Sequence, residues 1–255
     1  MKTTMKRAIL AGAGAVVIAM ATATAAYAQN FFSQLKVDSL VGQAIDLYHR
    51  GDYDGSLGRI ESAIALSPND VQAHYDRGLD LYALTRYNDA ADEFKNCLRQ
   101  QPDLVPAQFN LGVTDIALND YKSAKEIFTQ ILSTHPSSMR ANFDLGLSQY
   151  FDGHADSAAQ AFAVAALLHP QYVQAHYNAA LAEYRTGNLV AADQQAQAAL
   201  KLNANYAKAY FLRGAIMLRQ GDGVDARQQF ETAEKLSTDP VLKSLCGQVI
   251  AQISV

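Results

Sequence analysis

The chain has 255 residues and a formal charge of −4. Apolar residues make up 49% and charged residues 18%, which excludes a disordered polymer and leaves enough chain to bury a large core. The acidic balance excludes a nucleic-acid binder that works by neutralising phosphates, and two cysteines are too few for a disulfide framework.

Lys2, Lys6 and Arg7 precede an uncharged stretch from Ala8 to Ala28 that ends in Ala26-Tyr27-Ala28. Small residues at −3 and −1 before Gln29 predict a secretory signal peptide over residues 1–28, cut after Ala28. The alternative is an uncleaved anchor, since about 20 apolar residues span a bilayer. The stretch is rich in Ala, Gly and Thr rather than Leu, which favours the signal. Gly12-Ala13-Gly14 lies inside it and lacks the third glycine of a dinucleotide loop. Residues 29–36 read as an N-terminal extension. Its Phe31 and Phe32 either cover the first repeat or form a tether whose aromatics meet another protein.

Residues 37–240 carry an internal repeat. Pro68, Pro102, Pro136 and Pro170 are each 34 residues apart, which sets repeats starting at Val37, Val71, Val105, Met139, Val173 and Ala207. Place eight holds Ala44, Gly78, Gly112, Gly146, Ala180 and Gly214, and place twenty holds Ser56, Ala90, Ala124, Ala158, Ala192 and Ala226. Place twenty-four holds Ile60, Phe94, Phe128, Phe162, Ala196 and Phe230. This reads as a helical hairpin. Small residues let the two helices approach, a large one fills the space between repeats, and proline ends the second helix. No stretch alternates with the period of a half-buried strand.

These columns, with Tyr53, Tyr87 and Tyr121 at the turns, resemble the tetratricopeptide repeat family. The resemblance implies an all-α fold: a right-handed α-solenoid of six helical hairpins, used as a binding scaffold. The departures are Ala204 and Thr238 for the terminal proline, Ala196 for the filler and Gly223 for the turn tyrosine, so repeats five and six should be looser. Asp239-Pro240 starts a further helix, and residues 241–255 read as a C-terminal capping helix. Its apolar stripe, expected to seal the array, is Val241, Leu242, Leu245, Val249, Ile250 and Ile253.

The resemblance also implies that places 2, 5, 9, 12 and 13 line a concave groove. Place five holds Val41, Tyr75, Phe109, Phe143, Tyr177 and Phe211; place twelve holds Tyr48, Tyr82, Ile116, Tyr150, Tyr184 and Leu218. Aromatic rings there either brace neighbouring repeats or receive a peptide. Asn110 and Asn178 at place six suit a peptide backbone. Arg140, Arg185, Lys208 and Arg219 make the later groove basic, either as solvated charges or as a weak preference for acidic ligands. Asn110 with Arg140, and Asn178 with Lys208, each supply two of the five residues with which related chaperone-binding domains clamp a carboxylate. Leu212 stands where an arginine would, so no such clamp is expected.

No catalytic, cofactor-binding or metal-binding residues are predicted. His74 and His176 recur in the same phrase, Val-Gln-Ala-His-Tyr, three repeats apart, which marks a repeat and not a metal site. Asp52-Tyr53-Asp54-Gly55 lacks the later ligands of a calcium loop. The sequence therefore predicts an exported scaffold, in a bacterial periplasm or secreted, that binds a partner protein or peptide in its groove. The alternative is a soluble receptor for an extended peptide or polymer chain. No nucleic acid, no cofactor and no stable membrane insertion after signal cleavage are expected.

Overall fold

The computed structural model describes residues 31–253. The expected signal peptide, its cut site and Gln29 lie outside the described residues. Within them all regular structure is helical: α1 (residues 31–49), α2 (Tyr53–Leu66), α3 (Val71–Ala83), α4 (Tyr87–Gln100), α5 (Val105–Ala117), α6 (Tyr121–Thr134), α7 (Met139–Phe151), α8 (Ala155–Leu168), α9 (Val173–Thr186), α10 (Leu189–Leu202), α11 (Ala207–Gln220), α12 (Gly223–Leu236) and α13 (Pro240–Gln252). They fall into two compact units, one ending at Ala107 and one beginning at Gln108. The N-terminal unit carries α1 to α4. The C-terminal unit carries α6 to α13 and the residues of α5 from Gln108 on. No described helix is long and apolar enough to cross a membrane.

Local chemistry sets the ends of the helices. Asp52, Asp120, Asn188 and Asp222 each precede the second helix of a hairpin and accept a hydrogen bond from a first-turn amide. The first helix ends at place fifteen, where all six repeats adopt a positive φ. Glycine supplies it at Gly51, Gly153, Gly187 and Gly221, but Asn119 and Thr85 stand in the same conformation at 61°. In three repeats the place-four residue ties the first helix back to the proline before it. His74 Nε2 meets the Pro68 carbonyl at 2.9 Å, Asn142 Nδ2 donates to that of Pro136 at 3.2 Å, and His176 Nε2 meets that of Pro170 at 3.1 Å. The two histidines thus serve the backbone.

The core is built on one repeated contact. A Cβ added to Gly78 would stand 2.6 Å from the ring of Phe94; the same holds at 2.8 Å for Gly112 and Phe128, 2.7 Å for Gly146 and Phe162, and 2.8 Å for Gly214 and Phe230. All four phenylalanines are fully buried. The two repeats with alanine at place eight carry a smaller filler, Ile60 or Ala196. The fifth repeat is not left open by its missing ring: Leu212 and Ile216 of the next hairpin pack with Ala180, Ala192 and Ala196. The sixth keeps the glycine–phenylalanine contact.

At the N-terminal end the exposure of the aromatics goes against the covering alternative, and at the C-terminal end part of the expected sealing stripe stays exposed. Residues 31–36 are the opening turns of α1, and Phe31 and Phe32 stay exposed, so the buried core starts at Val37. In α13, Asp239 caps the helix by accepting from the Val241 amide at 2.8 Å, with Pro240 in the first turn. Its buried face centres on Cys246, flanked by partly buried Leu242, Val249, Ile250 and Ile253. Val241 and Leu245 are 73% and 41% exposed and do not seal the array. The six apolar residues cover more of the helix circumference than one docking face uses. Cys97 and Cys246 are both free and buried, and burial pushes the Cys97 thiol up to about 11.

Candidate functional site

The place-five rings rest mainly on the core. In the N-terminal unit Tyr75 tilts against Phe94 at 5.9 Å, and Tyr82, at place twelve, tilts against the turn residue Tyr87 at 5.2 Å. In the C-terminal unit Phe109 meets Phe128 at 5.5 Å, Phe143 meets Phe162 at 5.4 Å and Tyr172 at 5.1 Å, and Phe211 meets Phe230 at 5.2 Å. These edge and tilted contacts are the favourable geometry for aromatic pairs. Each ring is half-buried.

Three arginines of the C-terminal unit lie on rings of the preceding repeat. Arg140 stands 4.4 Å above Phe109, Arg185 4.4 Å above Tyr150 and Arg219 4.9 Å above Tyr184. Arg185 Nη1 also donates to the Tyr150 carbonyl at 2.9 Å, and Arg219 Nη1 to the Tyr184 carbonyl at 2.7 Å. Those carbonyls belong to the last turns of α7 and α9, where a cation is favoured by the helix dipole. These three charges are therefore engaged within the protein. Asn178 Nδ2 donates to the Gln174 carbonyl of its own helix at 2.8 Å. The Asn110 carbonyl accepts from Thr114 Oγ1 at 2.6 Å.

Three of the sequence-predicted residues meet in one recess. Tyr177, Lys208 and Phe211 line a cavity of about 280 Å³ with Asp239, Val241, Leu242 and Leu245. Its walls are apolar, and Lys208 and Asp239 bring one charge of each sign. Burial, and then the neighbouring tyrosines Tyr206 and Tyr150, push the Tyr177 phenol up to about 12, so its hydroxyl remains protonated. The ring of Tyr177 meets Tyr206 at 5.2 Å. Sequence reasoning placed Val241 and Leu245 on the sealing face and missed them here; the excess width of the apolar stripe was the available signal.

Family models named Tetratricopeptide repeat match residues 81–143 and residues 41–105, 143–195 and 191–240. The chain belongs to the tetratricopeptide repeat family, and its fold is the all-α solenoid of that family. Among solved structures, PilW, described as a widely conserved type IV pilus biogenesis factor, aligns with a TM-score of 0.72 at 20% identity, covering 82% of this chain and 97% of its own. PilF from Pseudomonas aeruginosa aligns with a TM-score of 0.70 at 15% identity, covering 85% and 99%. YrrB, described as a TPR protein with an unusual peptide-binding site, aligns with a TM-score of 0.61 at 17% identity, covering 74% and 97%. These likenesses concern the fold. No curated protein matches the chain.

Proposed function

We propose that this chain is an exported, non-enzymatic scaffold for protein–protein interaction, and that it takes a partner protein or peptide at the recess of Tyr177, Lys208, Phe211 and α13. Members of this family are typically non-catalytic binding scaffolds, and the solved YrrB is described by its peptide-binding site. Export rests on the pattern of Lys2, Lys6 and Arg7, the uncharged stretch and Ala26-Tyr27-Ala28. The single observation that carries the site is the exposure of Val241 and Leu245 beside Lys208 and the two aromatic rings. A terminal helix whose only task was to cover the last repeat would turn those side chains inward. Aliphatic and aromatic side chains around a few charges are the usual make-up of an interface centre. Phe109, Phe143, Tyr150 and Tyr184 extend the surface, while Arg140, Arg185 and Arg219 brace it.

The test is a crosslinking pull-down of the exported protein from its own cells, with wild type, Val241→Asp and Lys208→Glu compared. Both positions are exposed, so melting temperatures should not change. Wild type should retain a stoichiometric partner, and both variants should lose most of it. Retention of the partner by both variants would place the interface elsewhere. Recovery of only unstructured peptides would favour the receptor.

A further inference from the structure

Place ten of the repeat contains an exception that the fold does not require. Thr114 and Ser148 occupy it in α5 and α7. Both are buried, and each hydroxyl donates to a carbonyl of its own helix, at 2.6 Å to Asn110 and 2.8 Å to Asp144. Ala182 and Ile216 occupy it in α9 and α11 and have no side-chain polar group to satisfy. In α3 the place belongs to Asp80, which is 1% exposed. Its Oδ2 accepts from Ser56 Oγ at 2.9 Å, but its Oδ1 is buried with no hydrogen-bond partner. One turn earlier, Asp76 Oδ1 accepts from Gln72 at 2.9 Å, and its Oδ2 is likewise buried and unpartnered.

Both carboxylates line one cavity of about 200 Å³ between α1 and α3. Apart from Ser56, which donates to Asp80, its other inner walls are apolar or aromatic: Ala44, Ile45, Leu79 and the ring of Tyr48. Ile45 and His49 are exposed at its rim. Two carboxylates that each hold one buried oxygen without a donor are costly, and each favours any cation that reaches it. The Nη atoms of Arg77 are engaged elsewhere, with Glu61 at 3.4 Å and Glu93 at 3.1 Å, and its Nε is buried without forming a hydrogen bond to either carboxylate. The other five repeats fold with a satisfied or apolar residue at this place or, in α1, with the exposed Asp46, so stability does not explain a buried carboxylate at Asp80.

We infer that this cavity is a binding site for a lysine or arginine side chain of a partner polypeptide, with the cationic head on Asp76 Oδ2 and Asp80 Oδ1 and the stem against Ile45, Leu79 and Tyr48. A long apolar stem ending in several donors matches a narrow apolar cavity ending in two acceptors. A metal ion matches less well. Among the described residues no group of three or more His, Cys, Asp or Glu is placed to hold one. The site lies in the N-terminal unit and does not depend on the recess at Tyr177.

The experiment titrates the purified protein with Nα-acetyl-lysine methylamide and with its norleucine counterpart, which keeps the stem and loses the ammonium. The lysine compound should bind saturably at one site, about tenfold or more tighter than the norleucine compound, as charge-assisted hydrogen bonds require. Asp80→Asn and Asp76→Asn should each remove that difference. Ile45→Lys, at a half-exposed wall position, should fold normally, fill the cavity with its own ammonium and abolish binding. Should Asp80→Asn fail to fold, Ile45→Lys still decides. Equal affinity for the two compounds, undiminished binding by Ile45→Lys, or displacement by equimolar calcium or zinc would each overturn the assignment. Val241→Asp should leave this titration unchanged, so failure of the recess and failure of this site are read separately.

Discussion

Arg185 stands 4.4 Å above the centre of the Tyr150 ring and donates to the carbonyl oxygen of the same residue at 2.9 Å. The two residues are 35 positions apart, and Arg219 treats Tyr184 in the same way. Each arginine joins its repeat to the one before. Arg185→Ala should therefore lower stability by about 1 kcal/mol, the scale of an exposed cation–π contact with one hydrogen bond. A double-mutant cycle with Tyr150→Phe should show no coupling through the hydroxyl, because ring and carbonyl both remain. Urea midpoints for the variants measure this. An Arg185→Ala protein as stable as wild type would mean that the side chain is merely solvated.

Gly146→Ala should destabilise although alanine is the better helix former. The added methyl would stand 2.7 Å from the ring of Phe162, which is fully buried. Overpacking of this kind costs ~1–3 kcal/mol, more than the ~1 kcal/mol that helix propensity returns. Gly58→Ala is the control, because a methyl added at that place in α2 would meet nothing within 4 Å. That variant should gain ~0.5–1 kcal/mol. Opposite signs in thermal melts are expected; equal signs would refute the assignment of the place-eight contact.

Thr85→Gly should stabilise. Thr85 holds a φ of 61° at a place where four repeats use glycine. A β-branched residue in the left-handed region carries about 1 kcal/mol of strain, part of it offset by the greater freedom of glycine in the unfolded chain. A rise in melting temperature is the expected result, and a fall would show that the Thr85 side chain makes a compensating contact.

The stability of the C-terminal unit should fall as pH rises through the weakly acidic range. Burial pushes the Asp144 carboxyl up to about 6, against the opposing influence of Arg140. An unfolded aspartate titrates near ~3.9. With the higher value in the folded state, the stabilising contribution is full below about pH 4, is lost as pH rises to about 6, and stays lost above it. Asp144→Asn should thus match wild type at about pH 4 and exceed it at about pH 8 by ~1–2 kcal/mol. Denaturant midpoints at the two pH values provide the check. A variant weaker than wild type at the higher pH would mean that the ionised carboxylate is needed.

The repeat, its hairpin and its small-residue columns were all legible, because Pro68 to Pro170 fix the period and places eight, twenty and twenty-four fix the facing surfaces. Even the match of Gly146 to Phe162, and of Ala180 to Ala196, stands in the columns as a size complement. Less visible was the destination of long side chains. Whether Arg185 meets solvent or Tyr150 depends on the rotation between successive hairpins, which no single-residue column reports. The docking angle of α13 decides which half of its apolar stripe is buried, and so hid Val241 and Leu245 from the sequence. Asp80 left one trace, its partner Ser56, the only non-alanine at place twenty.

The pairing of Gly146 with Phe162, repeated along the chain, also governs how such a gene can grow. A crossover at the proline between hairpins moves both partners together, so any repeat can be gained or lost there. A crossover at the place-fifteen turn joins the first helix of one repeat to the second helix of another. Joining α9 to a second helix that carries phenylalanine would set the methyl of Ala180 into a ring, and joining α7 to α10 would leave Gly146 facing Ala196 across a void. Half-hairpins can thus be exchanged among the four repeats that share the glycine–phenylalanine contact, whereas the fifth repeat can exchange neither half with its neighbours.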